Sequence, residues 1–429
     1  MTIPKLVCDE KKRRSVIIVG GGFAGLNTAK VLAGHSQFKV ILIDQRNHHL
    51  FQPLLYQVAT AGLNPADIAV PIRAQFSSQS NISVRWGEVQ GVDLEKKHIY
   101  VEDEEFEYDF LVLACGTQHS YFGHPEWEEF APGLKTVEQA TEIRRRILSA
   151  FEKAENEMDP KMQHTLLTFV IVGGGPTGVE LAGAIADISR TVLVKDFKRI
   201  DSSKAKIILV EAGPKILGPF ADELSQKAQT DLMELGVEIR TNSKVLNINA
   251  EGVQVGSDFI HAKSVFWAAG VQAAKMSFTP PTELDRLGRV KVEDDLSLNK
   301  YPEVFIAGDM ASLEIGAGKF LPGLAPVAMQ AGIHVGKTIL NSRDCHQRMP
   351  FRYHDKGQMA TIGKNRAILE FKNIRIGGFI AWMAWLFVHI FYLIGFKNRI
   401  SVMANWIWSY VFSKRGSRLI TNKEWKLIP

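Results

Sequence analysis

The stretch Val16-Ile17-Ile18-Val19-Gly20-Gly21-Gly22-Phe23-Ala24-Gly25 decides the fold of this chain. A short apolar run, typical of a buried strand, leads directly into a Gly-x-Gly-x-x-Gly turn. In such a turn Gly20 permits a tight bend, Gly22 lets the backbone approach a pyrophosphate, and Gly25 lets the next helix pack on the strand. The N-terminus of that helix, predicted over about residues 24–33, favours negative charge. The stretch therefore predicts a dinucleotide-binding site.

A second strand supports this prediction. The predicted strand from Lys39 to Ile43 is apolar from Val40 onward and ends in Asp44, which lies 24 residues after Gly20. This is close to the usual spacing for an acid that binds a nucleotide ribose.

The same pattern occurs again at Phe169-Val170-Ile171-Val172-Gly173-Gly174-Gly175-Pro176-Thr177-Gly178. The next strand ends in Glu211, 38 residues after Gly173, and the extra length is a charged segment at 187–203 that predicts an inserted helix or loop. Glu211 would accept both ribose hydroxyls and repel a 2′-phosphate, and no arginine follows it directly. The second site is therefore predicted to bind NADH rather than NADPH.

Three later segments favour FAD at the first site. Strands at 110–113 and 264–267 each run into a turn of small residues, which contain Ala114 and Gly116 in one case and Ala269 and Gly270 in the other. A strand from Tyr301 ends in Gly308-Asp309. In two-nucleotide flavoproteins such an aspartate meets the ribityl chain of the flavin, although a helix N-cap is an alternative role for Asp309. An FAD site and an NADH site in one chain predict hydride transfer from the nicotinamide to the flavin.

Glu180 follows the second glycine turn and has two interpretations. An acid in the first turn of a helix stabilises the helix dipole, and that role is sufficient on its own. Alternatively, the carboxylate faces the junction of flavin and nicotinamide, where it positions the nicotinamide or relays protons to reduced flavin or quinone.

Composition restricts the class of protein and of electron acceptor. Hydrophobic residues make up 46% and charged residues 23% of the 429, as in ordinary globular proteins. The three cysteines, Cys8, Cys115 and Cys345, form no Cys-x-x-Cys motif. This argues against a thiol-disulfide reductase, and a sulfide substrate would require Cys115 and Cys345 to lie together. No metal-ligand spacing and no secretory signal is apparent.

The C-terminal region predicts contact with a membrane. Residues 379–396 carry no formal charge, and 397–429 carry a net charge of +6, which leaves −1 for the rest of the chain. In the segment 401–412, Ser401, Asn405 and Ser409 fall on one stripe of a helix otherwise rich in Trp and aliphatic residues. The apolar residues, the aromatic residues and the flanking basic rim of this region favour a helix in the bilayer interface. Two alternatives for 379–396 are a spanning helix and a core or dimer helix.

At this point the sequence resembles the type II NADH dehydrogenases, which are single-chain, non-proton-pumping NADH:quinone oxidoreductases. The resemblance covers nearly the whole chain and rests on 51–60 (FQPLLYQVAT), on 120–127 (SYFGHPEW), on 173–180 and on the aromatic, basic tail. It implies an α/β fold of two Rossmann-like dinucleotide-binding domains, as in glutathione-reductase-like flavoproteins, with C-terminal membrane-anchoring helices. It also implies noncovalent FAD, NADH as substrate, a membrane quinone as acceptor, a homodimer, and a place on the cytoplasmic face of a bacterial membrane.

The resemblance also implies site residues. A family stretch Ala-Gln-x-Ala-x-Gln reads Ala325-Pro326-Val327-Ala328-Met329-Gln330 here, so Gln330 is matched and Pro326 replaces the first glutamine. Gln330 is expected at the quinone or isoalloxazine edge, or else as a residue of a helix N-terminal turn. Glu180 and Gln330 are the predicted catalytic residues. Predicted cofactor contacts are Gly20, Gly22, Phe23, Ala24, Gly25, Asp44, Gln45, Val89, Ala114, Gly116, Asp309, Gly173, Gly175, Gly178, Glu211, Ala269 and Gly270.

The predicted domains are an FAD-binding domain at 14–121 and 279–345, an NADH-binding domain at 122–278, and a membrane-associating region at 346–429. Two other functions stay open at this point. One is another flavin reductase of the same fold, acting on sulfide and quinone or on a ferredoxin. The other is a nucleotide-sensing flavoprotein that is not an enzyme.

Overall fold

The computed structural model describes residues 13–316, 318–342 and 348–421. Cys8, Cys345, Lys423 and Lys426, which entered the sequence predictions, lie outside these ranges. The helices are α1 Phe23–Leu32, α2 Leu55–Ala59, α3 Pro65–Ile68, α4 Ile72–Gln75, α5 Trp127–Phe130, α6 Val137–Asn156, α7 Pro160–Leu166, α8 Pro176–Asp187, α9 Asp222–Glu234, α10 Ala325–Asn341, α11 Phe379–Tyr392 and α12 Phe396–Phe412.

The strands are β1 Arg14–Val19, β2 Phe38–Asp44, β3 His48–Leu50, β4 Ala69–Pro71, β5 Ile82–Trp86, β6 Val89–Asp93, β7 His98–Val101, β8 Glu104–Glu107, β9 Phe110–Leu113, β10 Thr117–His119, β11 Thr168–Val172, β12 Lys206–Val210, β13 Val237–Arg240, β14 Val245–Asn249, β15 Gly252–Val255, β16 Asp258–His261, β17 Ser264–Trp267, β18 Val271–Ala273, β19 Ser277–Thr279, β20 Val290–Lys291, β21 Ser297–Leu298, β22 Tyr301–Ile306, β23 Ala311–Ser312, β24 Glu314–Gly316, β25 Lys319–Phe320, β26 Gln358–Gly363, β27 Arg366–Phe371 and β28 Ile374–Gly377.

The described residues form two compact units. The first contains the residues up to 49 with 70–118 and 272–355, and the second contains 50–69, 119–271 and the residues from 356 onward. The sequence prediction assigned 50–69 to the first domain. These residues group with the second unit because α2 packs against α6 and α8. The functional boundaries of the predicted domains stay a prediction.

The first unit is built on a six-stranded sheet in the order β21-β22-β9-β1-β2-β5. The five strands from β22 to β5 pair in parallel. β1 lies at the centre, and its residues from Val16 to Val19 are at most 5% exposed. Burial on both faces explains why the strand reads as a continuous apolar run rather than as an alternating pattern.

Helices α1 and α10 of the first unit lie unusually close together. A Cβ atom at Gly332 would collide with the backbone of Ala24. The Thr28 hydroxyl donates a hydrogen bond to the carbonyl oxygen of Gly332 at 3.0 Å. Without a side chain at 332 the two backbones touch, and this contact positions α10 beside the helix that follows the first glycine turn.

The second unit repeats the Rossmann arrangement in a smaller sheet, with parallel strands in the order β13-β12-β11-β17. A three-stranded antiparallel sheet, β14-β15-β16, packs its apolar residues against one face of it. A further antiparallel sheet, β26-β27-β28, lies against α8 and α11. The α/β fold with two Rossmann-like halves is thereby confirmed.

The two C-terminal helices differ from the sequence prediction in length and environment. The uncharged run 379–396 does not form one helix, because α11 ends at Tyr392 and α12 begins at Phe396. Within the part of the chain that the structure covers, there is no helix with both the length and the apolar character needed to cross a membrane.

Candidate functional site

The first glycine turn has the geometry that a dinucleotide requires. Gly20 has φ +102°, and a Cβ atom there would press on the carbonyl of Ala114. A Cβ atom at Gly25 would collide with the carbonyl oxygen of Gly20, whereas one at Gly22 would meet nothing within 4 Å. The turn is thus closed on its protein side and open at Gly22, where a phosphate would lie.

Asp44, at the end of β2, fixes this turn. Its Oδ2 accepts the backbone N–H of Gly21 at 2.5 Å, and its Oδ1 accepts that of Arg46 at 2.6 Å. Burial raises the pKa of Asp44, and these two hydrogen bonds oppose the rise. Each carboxylate oxygen retains a lone pair for a ribose hydroxyl, so the arrangement fits the predicted ribose contact.

His49 is part of the same site, although no motif in the sequence pointed to it. Its side chain is 2% exposed, and its Nδ1 lies 2.9 Å from the carbonyl oxygen of Gly21. Its ring meets that of Phe23 edge-on, with centroids 5.1 Å apart. Burial lowers the pKa of His49 to about 4, so the ring is neutral and its Nδ1–H donates to Gly21. Asp44 and His49 therefore hold the N–H and the C=O of the same glycine.

The other predicted residues of the first unit differ in their surroundings. Gly116 has φ +71° and open space around it, and Asp309 lies in a short 3₁₀ turn, 3.4 Å from the Thr117 hydroxyl. The N-cap role for Asp309 is wrong, because Ala307 precedes that turn and Leu324 precedes α10. Val89 is a core residue at the start of β6. The Gln45 carbonyl accepts the indole N–H of Trp86 at 2.8 Å.

Gln330 lies one turn inside α10 rather than in its first turn. Its Nε2 donates to the carbonyl oxygen of His354 at 3.0 Å, and its Oε1 accepts the backbone N–H of His354 at 2.9 Å. The whole amide is thus engaged with one backbone residue. Pro326 is the second residue of α10, where a missing N–H has no cost.

The second glycine turn repeats the geometry of the first. Gly173 has φ +111°, a Cβ atom at Gly178 would collide with the carbonyl oxygen of Gly173, and Gly175 faces open space. Glu211 replaces the aspartate: its Oε2 accepts the N–H of Gly174 and its Oε1 that of Gly213, each at 2.6 Å. Ala269 and Gly270 follow β17, and Gly270 has φ +83°.

The sequence predicts Glu180 in the first turn of its helix, and this position is wrong. α8 begins at Pro176, which makes Glu180 its fifth residue, and the first turn contains no acid. The dipole explanation is therefore weak. Loss of water around the carboxyl raises the pKa of Glu180 to about 8, which a hydrogen bond from the Thr361 backbone partly opposes. At neutral pH the carboxyl carries a proton.

Glu180 lines a pocket of about 660 Å³ that is formed within the second unit. Ala184 lies one turn further along α8, and the remaining walls come from α2, β26, α11, α12 and the segment after α12. The surface is largely apolar, with aromatic residues from three helices. The aromatic lining residues are Tyr56, Phe379, Trp382, Trp385, Phe387, Trp406 and Tyr410.

Two residues of the polar stripe of α12, Ser401 and Asn405, bind protein. The Ser401 hydroxyl donates to Oδ1 of Asp67 at 2.7 Å, and Asn405 donates to its Oδ2 at 3.3 Å. Asp67 also closes the capping box of α3 by accepting the N–H of Asn64 at 2.9 Å. The stripe therefore fixes which face of α12 points outward.

Several basic side chains that were predicted to form the cationic rim of the tail also bind protein groups within the second unit. Arg415 donates to the carbonyl oxygen of Thr60 and pairs with Asp187 at the end of α8. Arg399 donates to two carbonyl groups at the end of α11. In the described part of the tail, Lys397 and Lys414 remain as exposed cations without an ion pair.

Comparisons with known proteins agree with this geometry. Residues 14–332 match the family model described as pyridine nucleotide-disulphide oxidoreductase, and 355–415 match that of the NDH2 C-terminal domain. The chain is 41% identical to the type II NADH:quinone oxidoreductase Ndh of Mycobacterium tuberculosis, over 96% of this chain and 91% of that protein. It is 28% identical to the type II NADH:quinone oxidoreductase of Staphylococcus haemolyticus, over 83% and 89%.

Solved structures share the fold. NDH2 of Plasmodium falciparum, in complex with NADH, has a TM-score of 0.87 at 19% identity, covering 96% of this chain and all of that one. The sulfide:quinone oxidoreductase of Aquifex aeolicus has a TM-score of 0.72 at 18% identity, covering 93% and 95%.

The contact between His49 and Gly21 gives a first prediction. His49→Leu leaves the Gly21 carbonyl without its donor, at a cost of about 1–3 kcal/mol. We expect a lower melting temperature and faster loss of flavin during dialysis. His49→Asn is the matched control, because its amide N–H can replace Nδ1–H. Equal flavin retention in His49→Leu and the unsubstituted protein would contradict a supporting role for His49.

Proposed function

Since the chain belongs to the type II NADH:quinone oxidoreductases, we propose that its two glycine turns hold FAD and NADH and that the pocket beside Glu180 receives the quinone. The protein is an FAD-dependent enzyme that oxidises NADH and reduces a quinone by two electrons. The observation that carries the assignment is the 41% identity over nearly the full chain, in a molecule with two glycine turns, each fixed by a carboxylate.

The first turn fits FAD, which supplies the two-electron chemistry when bound. In this proposal Gly20, Gly22 and Gly25 admit the pyrophosphate and Asp44 binds the ribose. The open space at Gly22 supports this role. The second turn binds NADH through Gly173, Gly175 and Gly178, with Glu211 on the ribose.

The pocket beside Glu180 has the character that a quinone requires. Its volume lies within the roughly 300–1,000 Å³ of small-molecule sites, and its walls are mainly apolar and aromatic. Reduction of a quinone to a quinol consumes two protons. Glu180 is protonated at neutral pH and is proposed to donate one of them. Gln330 stays the second proposed catalytic residue, and its hydrogen bonds to His354 support a positioning role.

An anaerobic titration tests the function directly. NADH should bleach the flavin absorbance of the purified holoenzyme, and a short-chain quinone should restore it. Bleaching by sulfide but not by NADH, with restoration by quinone, would indicate a sulfide:quinone reductase, and restoration by a ferredoxin but not by quinone would indicate a ferredoxin-type reductase. NADH binding without flavin reduction would indicate a sensor.

Glu211 gives a prediction about nucleotide choice. Glu211→Gln removes the charge that binds the ribose and repels a 2′-phosphate. We expect kcat/KM for NADH to fall about tenfold, because charged hydrogen bonds contribute roughly 1.5–3 kcal/mol, and the ratio of NADPH to NADH activity to rise. The KM for quinone serves as the internal control. An unchanged nucleotide ratio would exclude this role.

Glu180 gives a prediction about pH. Because its folded pKa of about 8 lies above the ordinary glutamate pKa of 4.5, ionising the carboxyl costs folding free energy. This destabilisation begins above the unfolded pKa and levels off above the folded one. Glu180→Gln should therefore melt at a higher temperature than the unsubstituted enzyme at pH 9, and the difference should shrink towards pH 5.

The same substitution tests the proton donor. Flavin reoxidation by quinone should slow in the unsubstituted enzyme as the pH rises through about 8, because the donor loses its proton. In Glu180→Gln the step should be slow at every pH and lack this inflection. Stopped-flow absorbance measures it, and an inflection that persists in Glu180→Gln would contradict the assignment.

We propose further that the outer faces of α11 and α12 bind a lipid bilayer. The large exposed apolar residues concentrate there, including Phe391 at 60% and Phe396 at 79% exposure, which is typical of an interaction surface. Lys397 and Lys414 would meet anionic headgroups. By family resemblance, the enzyme is proposed to be a homodimer on the cytoplasmic face of a bacterial membrane, which cross-linking in membranes would test.

The lipid surface gives a prediction with a matched control. The double variant Phe391→Gln and Phe396→Gln should weaken binding to anionic liposomes at least about tenfold, since each buried phenylalanine contributes roughly 1.5–3 kcal/mol. The control replaces Met233 and Leu246, which are exposed elsewhere on the second unit, by Gln. Equal liposome sedimentation of both double variants would contradict the proposal.

A further inference from the structure

Phe122 is a large apolar residue that the protein leaves exposed. Its exposed fraction is 66%, although two aromatic neighbours, Tyr121 and Trp267, are buried. Its backbone has φ +52°, a left-handed conformation that a bulky side chain rarely adopts. Such strain persists only where the surroundings hold it, and it is concentrated at ligand sites. The contacts of Phe122 therefore indicate what its ring binds.

The end of β17 fixes the segment that carries Phe122. The backbone N–H of Ser120 donates to the carbonyl oxygen of Gly270 at 3.3 Å, and the indole N–H of Trp267 donates to the carbonyl oxygen of Ser120 at 3.0 Å. The Phe122 ring lies against Gly270, since a Cβ atom on that glycine would be 2.5 Å from its Cζ. The ring also meets that of Trp267 at an angle of 61°, with centroids 6.0 Å apart. Because these contacts leave most of the ring exposed, a ligand can reach it.

Gly270 belongs to a short segment that follows β17 and touches the second glycine turn. A Cβ atom at Gly173 would collide with the backbone of Ala268 in this segment. In the sheet, β17 lies on one side of β11, and β12, whose end carries Glu211, lies on the other. A dinucleotide lies across the carboxyl ends of such strands, with its pyrophosphate at the glycine turn and the acid on its adenosine ribose. The nicotinamide half then extends over the end of β17, towards Phe122.

We propose that the exposed ring of Phe122 packs against the nicotinamide ring of bound NADH and so positions the end of the nucleotide that reacts. The two groups suit each other because nicotinamide is a flat aromatic ring, and aromatic pairs attract beyond the area that they bury. Phe122 acts as a positioning residue. The inference rests on the proposed binding of NADH at the second glycine turn and adds the side chain that holds the nicotinamide.

Two nucleotides that differ at the nicotinamide separate this contact from the rest of the site. NAD⁺ and ADP-ribose share the adenosine, the pyrophosphate and the second ribose, and neither reduces the flavin. Titration calorimetry on the oxidised, full-length holoenzyme gives the Kd of each nucleotide for the unsubstituted protein, for Phe122→Ala and for Phe122→Tyr. Met233→Ala, which removes another exposed apolar side chain of the second unit, is the matched control.

We expect Phe122→Ala to raise the Kd of NAD⁺ about fivefold, the usual effect of one lost aromatic contact, and to leave the Kd of ADP-ribose unchanged. Phe122→Tyr keeps the ring and should retain both values of the unsubstituted protein, as should Met233→Ala. An unchanged ratio of the two Kd values in Phe122→Ala would overturn the role of Phe122. An equal rise of both values is such a result, and it would indicate a structural effect on the whole site.

The same titrations test the nucleotide site itself. ADP-ribose should bind the unsubstituted holoenzyme, and Glu211→Gln should weaken its binding, because Glu211 is proposed to bind the ribose. If ADP-ribose does not bind, or if Glu211→Gln binds it normally, the assignment of NADH to the second glycine turn fails and the inference fails with it. If Glu211→Gln weakens ADP-ribose binding while Phe122→Ala has no selective effect on NAD⁺, only the role of Phe122 fails.

Discussion

In both halves of the molecule, a carboxylate at the end of the second Rossmann strand holds the backbone of the glycine turn that ends the first. Asp44 binds the N–H of Gly21, and Glu211 binds that of Gly174. Gly20 and Gly173 have positive φ angles, and Gly25 and Gly178 have close approaches, that only glycine tolerates, so these positions supply no side chain to stabilise the turn. The carboxylate supplies that stability from the neighbouring strand and leaves the outer face of the turn free for phosphate.

This constraint explains what could be predicted from the sequence. The strand, the glycines, the helix and the acid are all local features at fixed spacing, and together they define both turns. His49 could not be found in this way, because its value depends on a hydrogen bond to Gly21 across 28 residues. Two adjacent histidines before an apolar run carry no pattern that distinguishes a loop from a buried support.

The C-terminal region shows what sequence periodicity and charge cannot predict. Its composition predicted a helix in the bilayer interface with a polar stripe, and two residues of that stripe, Ser401 and Asn405, meet Asp67 on α3. Periodicity reveals that a face is polar and cannot reveal whether water or protein lies opposite. The same holds for charge, since Arg399 and Arg415 count as tail cations in the sequence and are used inside the second unit. Glu180 required the structure for a similar reason: burial raises its pKa, and the hydrogen bond that opposes the rise comes from Thr361 on β26, far away in the sequence.

The pairing of Arg415 with Asp187 has a consequence for how the enzyme matures. Among the residues that line the Glu180 pocket, Arg415 is the last in the chain, and it closes on a helix made more than two hundred residues earlier. During synthesis, both glycine turns leave the ribosome long before this wall does. A nascent chain can therefore form both glycine turns first, and the compartment for the electron acceptor is completed only after residue 415 has been made.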